Sequence, residues 1–235
     1  MPKSNPLPQT VPVWDLPTRL FHWTLVALMI AQWLTTESDS ALQYHVWGGY
    51  TVLTLVLFRL MWGFAGSDTA RFSHFVRGPD AALEYVKALL RGETPLYLGH
   101  NPMGGWSILA LLTLLLIQAG TGLFANDDIA FEGPLYALVG KEFSDRVAGI
   151  HRLIELPIIL LVLAHLGAII FYVRFKKQAL IMPMITGWKV GAGETAQGGG
   201  PVALIVALLI ALAVAYGVSG IWLPPPPLTP ETPNF

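Results

Sequence analysis

The stretch Ala148-Gly149-Ile150-His151-Arg152-Leu153-Ile154-Glu155-Leu156-Pro157-Ile158-Ile159-Leu160-Leu161-Val162-Leu163-Ala164-His165-Leu166-Gly167-Ala168-Ile169-Ile170-Phe171-Tyr172-Val173 decides the fold. As a helix it is long enough to cross a hydrocarbon layer of about 30 Å, and its acids and bases, Glu155 and Arg152, sit near its start. Two histidines interrupt it. His165 follows His151 by 14 positions. At about 100° and 1.5 Å per residue, that spacing returns to within roughly 40° of the same helix face and climbs about 21 Å. One face of one helix therefore presents two imidazoles at two depths.

Four further runs have the same apolar character. They cover Leu16–Thr35, where Asp15 can cap and Pro17 can occupy the first turn, then 44–64, 104–124 and 201–223. The 235 residues are 54% hydrophobic and 12% charged, about half the charge density of a soluble domain, so an all-α integral membrane protein is expected and a soluble enzyme is excluded. A net charge of −1 offers nothing to neutralise a phosphate backbone, which removes nucleic acid as a partner. The absence of cysteine removes disulfides, iron–sulfur clusters, thiolate zinc sites and covalently attached c-type haem. Any metal or redox chemistry must use histidine, carboxylate or backbone ligands.

Of the 14 lysines and arginines, all but Lys141, Arg146 and Arg152 fall on one side of these spans. The positive-inside rule then sets the N-terminus and the 65–103 loop in the cytoplasm, and the 125–147 loop outside. That outer loop carries Asp127, Asp128, Glu132, Glu142 and Asp145, a solvated acidic patch or a docking surface for a positively charged redox protein. The Pro-rich start lacks a basic n-region and no small-residue cleavage site follows the first span, so no cleavable signal peptide is expected. Residues 80–91 read as an amphipathic helix on the cytoplasmic membrane surface, with Leu83, Val86, Leu89 and Leu90 on one side. A Gly-rich linker, 191–200, precedes the fifth span, and a Pro-rich tail, 224–235, follows it to the outside.

Four of the six histidines lie at membrane depth: His22 in the first span, His45 opening the second, His151 and His165 in the fourth. An ionisable group there needs a partner. Following the direction of each span matches His45 with His151 near the outer face and His22 with His165 near the inner face. Paired imidazoles without thiolate or carboxylate suit haem iron, which already has four macrocycle nitrogens and asks the protein for two axial ligands. Gly48, Gly49, Gly120, Gly122, Gly149 and Gly167 fit either close helix packing or a flat macrocycle against backbone. Arg19 and Arg152, with Arg59 a third candidate, stand where a propionate would need neutralising. His74 and His100 read as loop-structuring, with a quinone head-group contact as the alternative.

The segment 13–23 (Val-Trp-Asp-Leu-Pro-Thr-Arg-Leu-Phe-His-Trp), the His45-Val46-Trp47-Gly48-Gly49-Tyr50 opening of the second span, and His151 with His165 resemble the bacterial cytochrome b561 family, close to the b-type cytochrome subunits of nickel–iron hydrogenases. The segments 72–79 and 97–102 resemble the branch found beside periplasmic c-type cytochromes. The resemblance covers residues 12–190 and implies a four-helix transmembrane bundle holding two haem b groups, ligated by His22 with His165 and by His45 with His151. The fifth span has no counterpart in that pattern.

The expected function is transmembrane electron transfer in a bacterial inner membrane, between the quinone pool (ubiquinone or menaquinone) and a periplasmic redox partner, a c-type cytochrome or another redox subunit. Two other readings compete. A superoxide:quinone oxidoreductase would want a basic funnel to attract an anion, which the acidic outer loop does not offer. A non-redox membrane anchor would use its histidines to hold helices together.

Overall fold

A computed structural model describes residues 10–36, 41–93, 97–129, 131–191 and 196–222. Residue 3, the centre of the Gly-rich segment at 192–195, the end of the fifth span at 223 and the Pro-rich tail lie outside the described residues.

Five long helices run side by side: α1 (Leu16–Thr35), α2 (Leu42–Ala65), α5 (Pro102–Gly122), α6 (Lys141–Arg174) and α8 (Pro201–Val218). By length and composition α2, α5, α6 and α8 are apolar enough to cross a membrane. Helix α1 is of similar length but carries Arg19, His22 and Gln32, and it packs along α2. The further pairings are α2 with α5 and α5 with α6. Phe21, Val52, Val56, Trp62, Leu112 and Ile158 form the shared core, while Leu153, Leu156, Leu160, Leu163 and Ile170 of α6 point outward. A helix that leaves such a row exposed is solvated by lipid chains, which are as apolar as leucine itself.

The pole where α1 begins, the near pole, is stitched by polar contacts. Asp15 caps α1, its Oδ1 accepting from Thr18 N at 2.7 Å, with Pro17 in the first turn. Its Oδ2 accepts from Trp62 Nε1 at 2.9 Å and from Ser67 Oγ at 2.5 Å. One carboxylate thus starts the first helix and ties it to the end of the second. Strand β1 (Thr10–Pro12) pairs antiparallel with β2 (Trp188–Val190), which follows α6 and the short α7 (Ile181–Thr186). Between them Gly187 takes φ +90°, and an added Cβ there would stand 2.8 Å from Trp14 O. Only glycine serves at that corner.

The Gly-rich segment leads into the fifth helix. Its described part is pinned to the near pole: Asp68 N donates to Gln197 O and Ala196 N to Pro12 O, both at 2.8 Å. Helix α8 then lies along α2 with Ala207, Ala211 and Ala215 buried. That four-residue spacing lays a smooth stripe against its neighbour, the close approach favoured where no water drives association.

Helix α4 (Pro79–Leu90) turns its small and aromatic residues, not its leucines, toward the bundle. Ala82, Tyr85 and Ala88 are buried, whereas Leu83 and Leu90 are exposed. The cause is Tyr85, whose hydroxyl lies 2.7 Å from that of Tyr172 at the end of α6. The leucines are left for the membrane surface. At the opposite, far pole, α6 starts at Lys141, seven residues ahead of the apolar run. Its extra turns carry the i,i+4 pairs Lys141–Asp145 and Glu142–Arg146, which suit a helix projecting into water.

Candidate functional site

Helices α1 and α6 bring His22 and His165 together at the near pole, ring centroids 6.5 Å apart and planes inclined at 53°. Helices α2 and α6 bring His45 and His151 together at the far pole, at 6.3 Å and 79°. Imidazoles bonded to opposite faces of one metal, each at about 2 Å, hold their ring centres roughly 6 Å apart. Both pairs have that separation. Among the described residues no cluster of three or more histidine or carboxylate groups could hold a bare metal ion. The donor set therefore suits an iron that brings four of its own ligands.

The far pair is held from behind. His151 Nδ1 lies 2.9 Å from Gln118 O and 3.2 Å from Thr121 Oγ1. His45 Nδ1 lies 3.3 Å from Gln32 O and 3.5 Å from Thr35 Oγ1. A carbonyl only accepts, so each Nδ1 carries its ring's proton and each Nε2 keeps the lone pair a metal needs. The Gln118 amide agrees, since its Nε2 donates to His151 Nε2 at 3.2 Å. Gln32 and Gln118 were not among the residues that sequence reasoning selected. The available signal was a Gln-x-x-Thr unit in the last turns of both α1 and α5.

The near pair is surrounded differently. Thr18 Oγ1, Arg19 Nε, His22 Nδ1, Arg59 Nη1 and His100 Nδ1 are buried with no hydrogen-bond partner among the described residues. Arg59 is 2% exposed, and its guanidinium bonds Ala70 O through Nη2 at 3.1 Å and lies 5.2 Å from the Phe72 ring centre. Arg19 Nη1 donates to Ile185 O at 2.6 Å. Buried guanidinium N–H groups without acceptors are costly on their own and fit an anionic group such as a propionate. The residues present therefore fit haem b. His100 belongs to the same pole, its ring between Trp14 at 4.5 Å and Phe75 at 4.6 Å. Burial, then Arg59, His165 and His22, push its pKa down to about 3, so the ring is neutral.

The other expected contributors are placed as follows. Gly122 sits where a Cβ would come within 3.2 Å of His151 Cε1, so its lack of a side chain lets the imidazole lie against α5. At Gly48 an added Cβ would meet Gln32 Oε1 at 2.2 Å, and at Gly49 Gln32 Nε2 at 3.7 Å. Gly120, Gly149 and Gly167 have open space beside them. Arg152 is exposed beside His151. In the outer loop Asp128 and Asp145 pair with Lys141, and Glu142 with Arg146, while Asp127 Oδ1 accepts from Ile129 N and Phe131 N. Much of that acidity is neutralised within the loop.

A multi-helix membrane bundle whose facing histidines suit an iron macrocycle is a membrane-embedded b-type cytochrome, a carrier of electrons. The family model for prokaryotic cytochrome b561 matches residues 13–187, and the chain belongs to that family. The "Probable Ni/Fe-hydrogenase B-type cytochrome subunit" of Bradyrhizobium diazoefficiens is similar, 23% identical over 213 residues that cover 76% of this chain and 85% of that protein. No solved structure matches. The chain is thus a multi-pass bacterial membrane cytochrome of electron transport with haem b as its cofactor.

Proposed function

We propose that the chain conducts electrons across the bacterial inner membrane through two haem b groups, one held by His22 and His165, the other by His45 and His151. The single observation that carries this reading is the presence of two facing imidazole pairs, at 6.5 Å and 6.3 Å, at opposite ends of one bundle. Held by two imidazoles, each haem b would supply reversible one-electron chemistry with no open place for oxygen or substrate. The protein's own work is to hold the imidazoles in the right tautomer, to neutralise propionates with Arg19, Arg59 and Arg152, and to keep water from the bundle core.

The near pole faces the cytoplasm by charge bias and the far pole the periplasm, with the N-terminus inside and the C-terminus outside. The quinone pool serves one end and a periplasmic redox partner the other. A near-pole cavity of about 270 Å³, with Arg77, His74 and His100 in its lining, supports placing the quinone head group there. The partner is a c-type cytochrome or, by the name of the Bradyrhizobium relative, a hydrogenase. The test is a reduced-minus-oxidised spectrum of purified protein with pyridine haemochrome quantitation. Two low-spin b haems per chain are expected, and one or none would defeat the reading.

A further inference from the structure

The two histidine pairs differ in what stands behind them. At the far pole both ligand rings are clasped by the same device. Thr35 Oγ1 donates to Ala31 O at 2.9 Å and Gln32 O at 3.0 Å, and Thr121 Oγ1 donates to Ile117 O at 2.7 Å and Gln118 O at 3.0 Å. A hydroxyl has one proton, and here it is shared between two carbonyls. Only lone pairs are left to face the histidine. Each Nδ1–H is therefore met by two acceptors, the Gln carbonyl and the Thr oxygen, and donates to them at 2.9 to 3.5 Å.

Both clasps also occupy the C-terminal turns of their helices, α1 ending at Thr35 and α5 at Gly122, where the backbone dipoles leave a partial negative charge. At the near pole the pattern reverses. Among the described residues His22 Nδ1 has no partner, and the buried groups with unmet N–H donors at that pole include the guanidinium groups Arg19 and Arg59. An imidazole that donates its distal N–H to an acceptor gains anionic character and stabilises ferric iron. The clasp stands behind both ligand rings of the far pair, and no such acceptor stands behind His22 among the described residues, so the two sites are pushed apart in potential.

We propose that the Gln32/Thr35 and Gln118/Thr121 clasps hold the far-pole haem at a lower reduction potential than the near-pole haem, with Thr35 and Thr121 as positioning residues for its ligands. This rests on the two-haem reading. It orders the chain of carriers: when one electron passes from far to near, the far iron goes from ferrous to ferric and the near iron from ferric to ferrous, downhill in potential. Electrons that enter at the outer face are drawn inward.

The test is a potentiometric titration of the purified, haem-loaded chain, followed by visible and EPR spectra. The wild-type chain should show two components, and His151→Ala should lack the lower one. Loss of the higher one instead would overturn the ordering. In Thr35→Val/Thr121→Val the lower midpoint should move upward toward the other, which stays fixed, with two haems retained; Thr→Ser at both positions should restore the original value. An unmoved lower midpoint in the valine variant would overturn the clasp. If the double variant loses the far haem, Thr35→Val alone, at the longer contact, gives the same comparison. A wild-type chain with other than two haems is a different failure, that of the two-haem reading itself.

Discussion

The indole of Trp62 donates to the carboxylate of Asp15 at 2.9 Å, so the last turns of the second helix are fastened to the cap of the first. Asp15→Ala removes a helix cap worth about 1 kcal/mol. It also leaves the Trp62 and Ser67 donors buried and unpaired, at a cost of roughly 1–3 kcal/mol each. Thermal melting in detergent should fall clearly, with Asp15→Asn falling less because the amide oxygen still caps. An unchanged melting temperature in Asp15→Ala would show that the carboxylate is incidental.

The histidine pairs make a reciprocal prediction. His45→Ala and His151→Ala should each reduce two haems to one and produce the same residual spectrum. His22→Ala and His165→Ala should produce the other spectrum. Haem quantitation with EPR reads this directly, and matching residual spectra for His22→Ala and His151→Ala would break the pairing.

Two glycines at close contacts should respond differently to an added methyl. At Gly48 the obstacle is the end of the flexible Gln32 side chain, whereas at Gly63 a Cβ would fall 2.1 Å from Phe72 Cε2, in a ring packed near Arg59. Gly48→Ala should therefore stay within about 1 kcal/mol of wild type, helped by the higher helix propensity of alanine. Gly63→Ala should lose roughly 1–3 kcal/mol through overpacking. Melting curves of the two variants side by side decide this.

Ala211 is 0% exposed in the seam between α8 and α2. Ala211→Leu should wedge that seam and cost roughly 1–3 kcal/mol. Haem content should remain that of wild type, because none of His22, His45, His151 and His165, the proposed ligands, is on α8. Loss of either haem would mean that the fifth helix shapes a cofactor site.

The helices were legible because lipid imposes a crude rule: each span must be a long apolar run, and the start of Leu16–Thr35 could be read from Asp15 and Pro17. The facing of His22 with His165 and of His45 with His151 was legible from depth alone, since alternating span directions leave no other match. What escaped reading depends on contacts that hydropathy does not register. The early start of α6 at Lys141 rests on ion pairs that a hydropathy window counts against a helix. The inward face of α4 is chosen by Tyr172, and alanines outrank leucines there because the leucines have lipid to face. The clasp on His151 uses the backbone carbonyl of Gln118, and a backbone atom leaves no letter in the sequence.

The pairing of Thr10–Pro12 with Trp188–Val190 sets an order on biogenesis. A ribosome delivers the first strand long before the second exists, so β1 must wait, unpaired, while the long helices α1, α2, α5 and α6 are made. His22 waits with it, because His165 arrives on the last of those helices. The earliest and latest parts of the cytochrome unit are thus the ones that meet at the near pole, and a nascent chain truncated before the second strand would lack that pairing.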